Sequence, residues 1–137
     1  MAVDAPAGLR LVPPERRHVT LRFLGDVDEA ELRAVEERLR SAGLRRCTAT
    51  VGTAASTFGR SILVVGVAGL DALAAAAGSD GRPFRGHVTL ARGRDVRPWR
   101  GLPVPGGSWP VGEVTLVTSR LGRGGPTYEV VATVPLG

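Results

Sequence analysis

The stretch RGHVTLARGR, Arg85–Arg94, repeats the heart of an earlier one, RRHVTLRFLG, Arg16–Gly25. Both contain His-Val-Thr-Leu, and the two copies hold the only histidines of the chain. Read as strands, each copy alternates between two faces. His18 and Thr20 point one way while Val19 and Leu21 point the other, and His87 and Thr89 divide from Val88 and Leu90 in the same manner. Packing uses the valine and the leucine; it gives no reason to keep a histidine and a threonine on the opposite face. The copies begin 69 residues apart in a chain of 137, which predicts an internal duplication folded as two antiparallel lobes.

The flanks extend this pattern. LRLV (residues 9–12) reads as a short strand broken by Pro13-Pro14, and HVTLRFLG as a strand ended by Gly25. Asp28 to Ala42 reads as a helix. Asp28 caps it with Glu31 three residues on, Leu32, Val35 and Leu39 form its apolar stripe, and Gly43 stops it. CTATV and SILVVGV (Ser61–Val67) read as strands, the second as a buried one. Leu70–Ala77 reads as a short helix ended by GSDGRP, and FRGHVTLAR as the next strand. Pro98–Pro110, with Trp99 and Trp109, reads as a loop. VGEVTLVTSRL, a GRGGP turn and TYEVVATVPL read as a hairpin, with Tyr128, Val130, Ala132 and Val134 alternating onto one face.

By length the chain is a single domain over 1–137. Its 43% hydrophobic content is ordinary for a globular protein. No run reaches the ~18 apolar residues of a membrane span, and the first residues lack the basic-then-apolar pattern of a secretory leader. The single cysteine, Cys47, forms no internal disulfide, which points to a reducing cytoplasm. The net charge of +5 rests on 18 arginines and no lysine. A GC-rich genome accounts for that bias, and guanidinium forks also suit phosphate oxygens. With three Phe, two Trp and one Tyr, an extended base-stacking platform is not expected. No cofactor is expected, and a monomer is the default.

Two imidazoles on one ligand suit proton transfer. A histidine titrates near neutral pH, so a neutral ring takes a proton from water while a cationic one gives a proton to a leaving oxygen. The threonine hydroxyls of Thr20 and Thr89 donate hydrogen bonds to phosphate oxygens, where charge develops. A metal site is not expected, because two histidines on separate strands have no evident third ligand.

Two His-x-Thr motifs half a chain apart, with their flanks VPPERRHVTLRFLGDV, FGRSILVVGV, RPFRGHVTLAR and VGEVTLVTSRL, resemble the two-histidine (2H) phosphoesterases, specifically the LigT-like RNA 2′,3′-cyclic phosphodiesterases, also called 2′-5′ RNA ligase-like proteins. The resemblance runs over nearly the whole chain from about Leu9. It implies an α+β fold of two pseudo-symmetric antiparallel sheets around a central groove, with helices outside. It implies metal-independent hydrolysis of 2′,3′-cyclic phosphates, on RNA ends or nucleosides, to 2′-phosphates. The alternatives are a nucleotide- or RNA-binding module with little turnover and a 2′-5′ phosphodiesterase. By motif position His18 and His87 carry over as the acid/base pair, the second as base and the first as acid, with Thr20 and Thr89 as phosphate ligands. Arg92, five residues after His87, carries over as a phosphate contact, but regular alternation would turn it to the far face, so this role requires a bulge. Phe58 and Phe84 are the candidate base contacts. Relatives open with a strand and a helix before the first motif, and only 17 residues precede His18 here, so the first lobe is expected to be incomplete. Gly86 stands where relatives usually have proline.

Overall fold

The computed structural model describes residues 8–78, 81–122 and 125–137, with no side-chain account for residues 120–126. Strands β1 (Leu9–Leu11), β2 (Cys47–Phe58), β3 (Ile62–Ala68), β4 (His87–Gly93) and β5 (Gly107–Val111) form one antiparallel sheet in the order β1-β4-β3-β2-β5. Strands β6 (Glu113–Gly122) and β7 (Gly125–Pro135) form a second, two-stranded sheet. Helices α1 (Glu29–Ser41) and α2 (Asp71–Ala77) complete an α+β fold. Parts of the expected GSDGRP and GRGGP turns, Ser79-Asp80 and Arg123-Gly124, lie outside the described residues.

The strongest sequence signals became the best-defined elements. The Asp28 carboxylate accepts from the Glu31 amide at 2.8 Å, which starts α1, and Val35 and Leu39 are buried on its inner stripe. The apolar run Leu63-Val64-Val65 lies at 1% exposure or less in β3, the central strand of the five. Gly69, at φ +94°, turns the chain from β3 into α2; a Cβ there would fall on the Thr48 carbonyl oxygen.

Two apolar clusters hold the fold. One gathers Val35 and Leu39 of α1, Ala49, Val67, Leu70 and Leu73 with Val114, Leu116 and Val134 of the small sheet, so it joins both sheets and both helices. The other packs Leu9, Ala55, Leu63, Val65, Leu90 and Ala91 under Val96 and Val104.

Three readings need correction. The segment expected as a strand through the first motif is not one: from His18 to Arg22 no backbone group bonds to a neighbouring strand among the described residues. An extended chain is assigned to a sheet only through its ladder bonds. Here Val19, Leu21 and Leu24 hold the segment by packing against the first cluster. The loop Pro98–Pro110 is shorter than expected, because its last residues, with Trp109, form β5 against Cys47–Val51. Pro110 is tolerated there because β5 is an edge strand. Finally, β7 does not alternate cleanly. Leu116 faces Ala132 but Val117 faces Val130, so Val131 is an extra residue. Tyr128 and Val130 thereby leave the buried face of Ala132 and Val134 and lie 44% and 58% exposed.

Candidate functional site

The second motif opens β4, and its register settles which side chains share a face. His87 lies opposite Gly66, Val88 opposite Val65 and Thr89 opposite Val64. Alternate residues of β3 point the same way, so His87 and Thr89 share one face while Val88 turns to the core side. The register then slips: Leu63 faces Ala91 and Ile62 faces Arg92, leaving Leu90 as the extra residue of a β-bulge. Ile62 has the parity of Val64 and Gly66. Arg92 therefore stands on the face of His87 and Thr89, and the bulge that its expected role required is present. Leu90 and Ala91, at 1% and 0% exposure, anchor the bulge in the second cluster.

On β2, Phe58 pairs with Ile62 and Ser56 with Val64, which places both on this same face. The Phe58 ring meets the His87 ring edge-on, with centroids 4.5 Å apart. Phe84 is placed differently. It is half-buried, packs against the first cluster, and lies next to Gly86. A Cβ on Gly86 would collide with the Val67 carbonyl oxygen, so this backbone path excludes the proline that relatives usually carry.

The two histidines are held alike despite their different backbones. His18 Nδ1 is 2.7 Å from the Arg16 carbonyl oxygen, and His87 Nδ1 is 2.6 Å from the Arg85 carbonyl oxygen. A carbonyl only accepts, so each Nδ1 carries the proton and donates it. Each Nε2 is then the nitrogen left to take up or deliver a proton. This is one device made twice, two residues back along the chain in both copies. Val19 and Val88, the residues between His and Thr, pack against the same apolar cluster. The two imidazoles meet different aromatic rings rather than each other: His87 meets Phe58, and His18 meets Tyr128 at 5.1 Å between centroids.

Sequence reading missed Tyr128, because regular alternation assigned it to the core face. Only the extra residue Val131 turns it toward His18, and nothing local to TYEVVATVPL marks that bulge. A cavity of about 260 Å³ lies elsewhere, walled by Arg22, Val35, Arg38, Leu39 and Ala77. It contains neither histidine. Arg22 reaches from it to the Ala77 carbonyl at 3.5 Å, at the end of α2. Among the described residues no three His, Cys, Asp or Glu side chains are grouped to hold a metal ion, and no helix is long and apolar enough to cross a membrane.

Known proteins share this fold. The family described as LigT-like phosphoesterase matches residues 2–60. Among solved structures, TT0787 of Thermus thermophilus is 30% identical with a TM-score of 0.73, over 95% of this chain and 83% of that one. LigT of E. coli complexed with 3′-AMP is 27% identical with a TM-score of 0.78, over 97% of this chain and 84% of that one. The same protein complexed with phosphate is 26% identical with a TM-score of 0.75, over 93% and 79%. No curated protein matches significantly.

Proposed function

Since the chain belongs to the LigT-like two-histidine phosphoesterases, we propose that it hydrolyses the 2′,3′-cyclic phosphate of RNA ends or nucleosides to a 2′-phosphate. The observation that carries this reading is the twin Nδ1 anchor, which leaves two imidazole Nε2 atoms free for proton transfer by the same means. Complexes of E. coli LigT with 3′-AMP, NADP+ and ATP support a nucleotide-like substrate.

In this reading neutral His87 accepts a proton from water at Nε2 as the water oxygen bonds to phosphorus. The bond from phosphorus to O3′ breaks, and O3′ takes a proton from cationic His18. Thr20 and Thr89 donate hydrogen bonds to the non-bridging oxygens, and Arg92 offsets their charge. Phe58, against His87, is the candidate surface for a base or ribose. No step calls for a metal or cofactor. The test is a phosphorus NMR time course on a nucleoside 2′,3′-cyclic monophosphate in excess chelator. A 2′-monophosphate product peak is expected, and a 3′-monophosphate product or no product would overturn the reading.

One observation favours a second reading, a nucleotide- or RNA-binding module with little turnover. His18 and Thr20 sit on a segment without ladder bonds among the described residues, whereas His87 and Thr89 sit within a sheet. In the same time course such a module leaves the substrate peak in place and broadened.

A further inference from the structure

The bulge in β4 has a neighbour across the sheet. Arg10, in the middle of β1, lies directly opposite Arg92. Leu9 and Leu11 turn into the second cluster, so Arg10 turns the other way, onto the face that carries His87, Thr89 and Arg92. The row across the sheet therefore reads Arg10, Arg92, Ile62, Phe58, from the β1 edge inward. Both arginines are exposed, and among the described residues neither makes an ion pair or a side-chain hydrogen bond. Like charges directly opposite on a sheet repel each other. No carboxylate among the described residues offsets this pair, and Asp95, nearby in sequence, is engaged by Arg97 and Arg60.

Resting on the function proposed above, we infer that Arg10 holds a second phosphate, one nucleotide step from the reacting one. The preferred substrate is then a cyclic-phosphate-ended oligonucleotide rather than a mononucleoside cyclic phosphate. Thr89 and Arg92 are three residues apart, at most about 10 Å along the strand, and a guanidinium on β1 extends the cationic row to the open edge of the sheet. A strand of RNA bound with its terminal phosphate at His87 and Thr89 would pass over that edge with its next phosphate between Arg92 and Arg10. A mononucleoside cyclic phosphate has no group to place there.

The experiment compares wild type, Arg10→Gln and, as a charge-matched control, Arg33→Gln on the exposed side of α1. Each is given a nucleoside 2′,3′-cyclic monophosphate and a short oligonucleotide ending in the same group. Arg10→Gln should raise KM for the oligonucleotide about tenfold, as expected for one charge-assisted hydrogen bond. The preference for oligonucleotide over mononucleotide should fall by the same factor, and Arg33→Gln should keep the wild-type preference. Fluorescence anisotropy of the labelled oligonucleotide gives a readout that does not need turnover. The slope of log affinity against log salt should shrink by about 0.7 in Arg10→Gln, one phosphate contact on a single strand. An unchanged slope and preference, or the same change in Arg33→Gln, overturns the inference. Absence of turnover in wild type on both substrates overturns the proposed function instead and leaves the salt slope to decide on Arg10.

Discussion

At the scale of single residues the proposed reaction depends on what holds the two histidines. A ring that donates from Nδ1 to a backbone carbonyl has one orientation and one tautomer in its neutral state, and both carbonyls come from the residue two positions earlier. His18→Ala and His87→Ala should each lower kcat/KM by about 10²–10⁴-fold, the usual worth of a general acid or base. The pH profile should be bell-shaped in wild type. His87→Ala should lose the acid limb, where the base must be neutral, and His18→Ala the alkaline limb, where the acid must be charged. Retention of the full bell and rate in both variants would sink the two-histidine mechanism. Of the two imidazoles, Tyr128 meets that of His18, so Tyr128→Ala should lower kcat/KM by loosening that ring, with both limbs of the bell retained. These candidates were legible from spelling to different depths. His18, Thr20, His87 and Thr89 are written twice, while Arg92 depended on a bulge and Tyr128 on another.

At the scale of elements, bulges and short turns decide where side chains go. Leu90 is the extra residue of β4 and is almost wholly buried. Leu90→Ala should cost about 2–5 kcal/mol in urea unfolding. Beyond β4, Asp95 accepts from the Arg97 amide at 3.1 Å and from its guanidinium at 2.8 and 2.9 Å. The Arg97 side chain, then its backbone amide, hold the Asp95 carboxyl well below the ordinary carboxylate range. A depressed value in the folded state contributes stability above the unfolded carboxylate's pKa, and that stability is lost as pH falls toward the folded value. Carbon-13 titration should show Asp95 ionised well below pH 3.8, and Arg97→Gln should raise it only part of the way to the ordinary range, because the residue-97 amide and Arg60 remain beside it. The cap that Asp28 places on α1 was readable because it depends on four adjacent residues. The bulges were not, because each is defined by a partner strand elsewhere in the chain.

At the scale of the whole molecule the two motifs share one apolar cluster but have unequal scaffolds. The second lies in a five-stranded sheet, the first on a segment held by packing. Amide hydrogen exchange should follow that difference, since protection follows from hydrogen-bonded structure that must open before exchange. Val88 and Ala91 should exchange far more slowly than Val19, Thr20 and Leu21, and equal protection in both motifs would contradict the structure. The sequence by itself determined the α+β class, the first helix, the buried central strand and the identity of the paired histidines and threonines. Those follow from local alternation, capping and a repeated phrase. Only the tertiary structure decided that Arg10 and Arg92 share the face of His87, that Tyr128 leaves the core for His18, and that the first motif has no ladder among the described residues. A strand's face and register are properties of a pairing, and no single segment contains both partners.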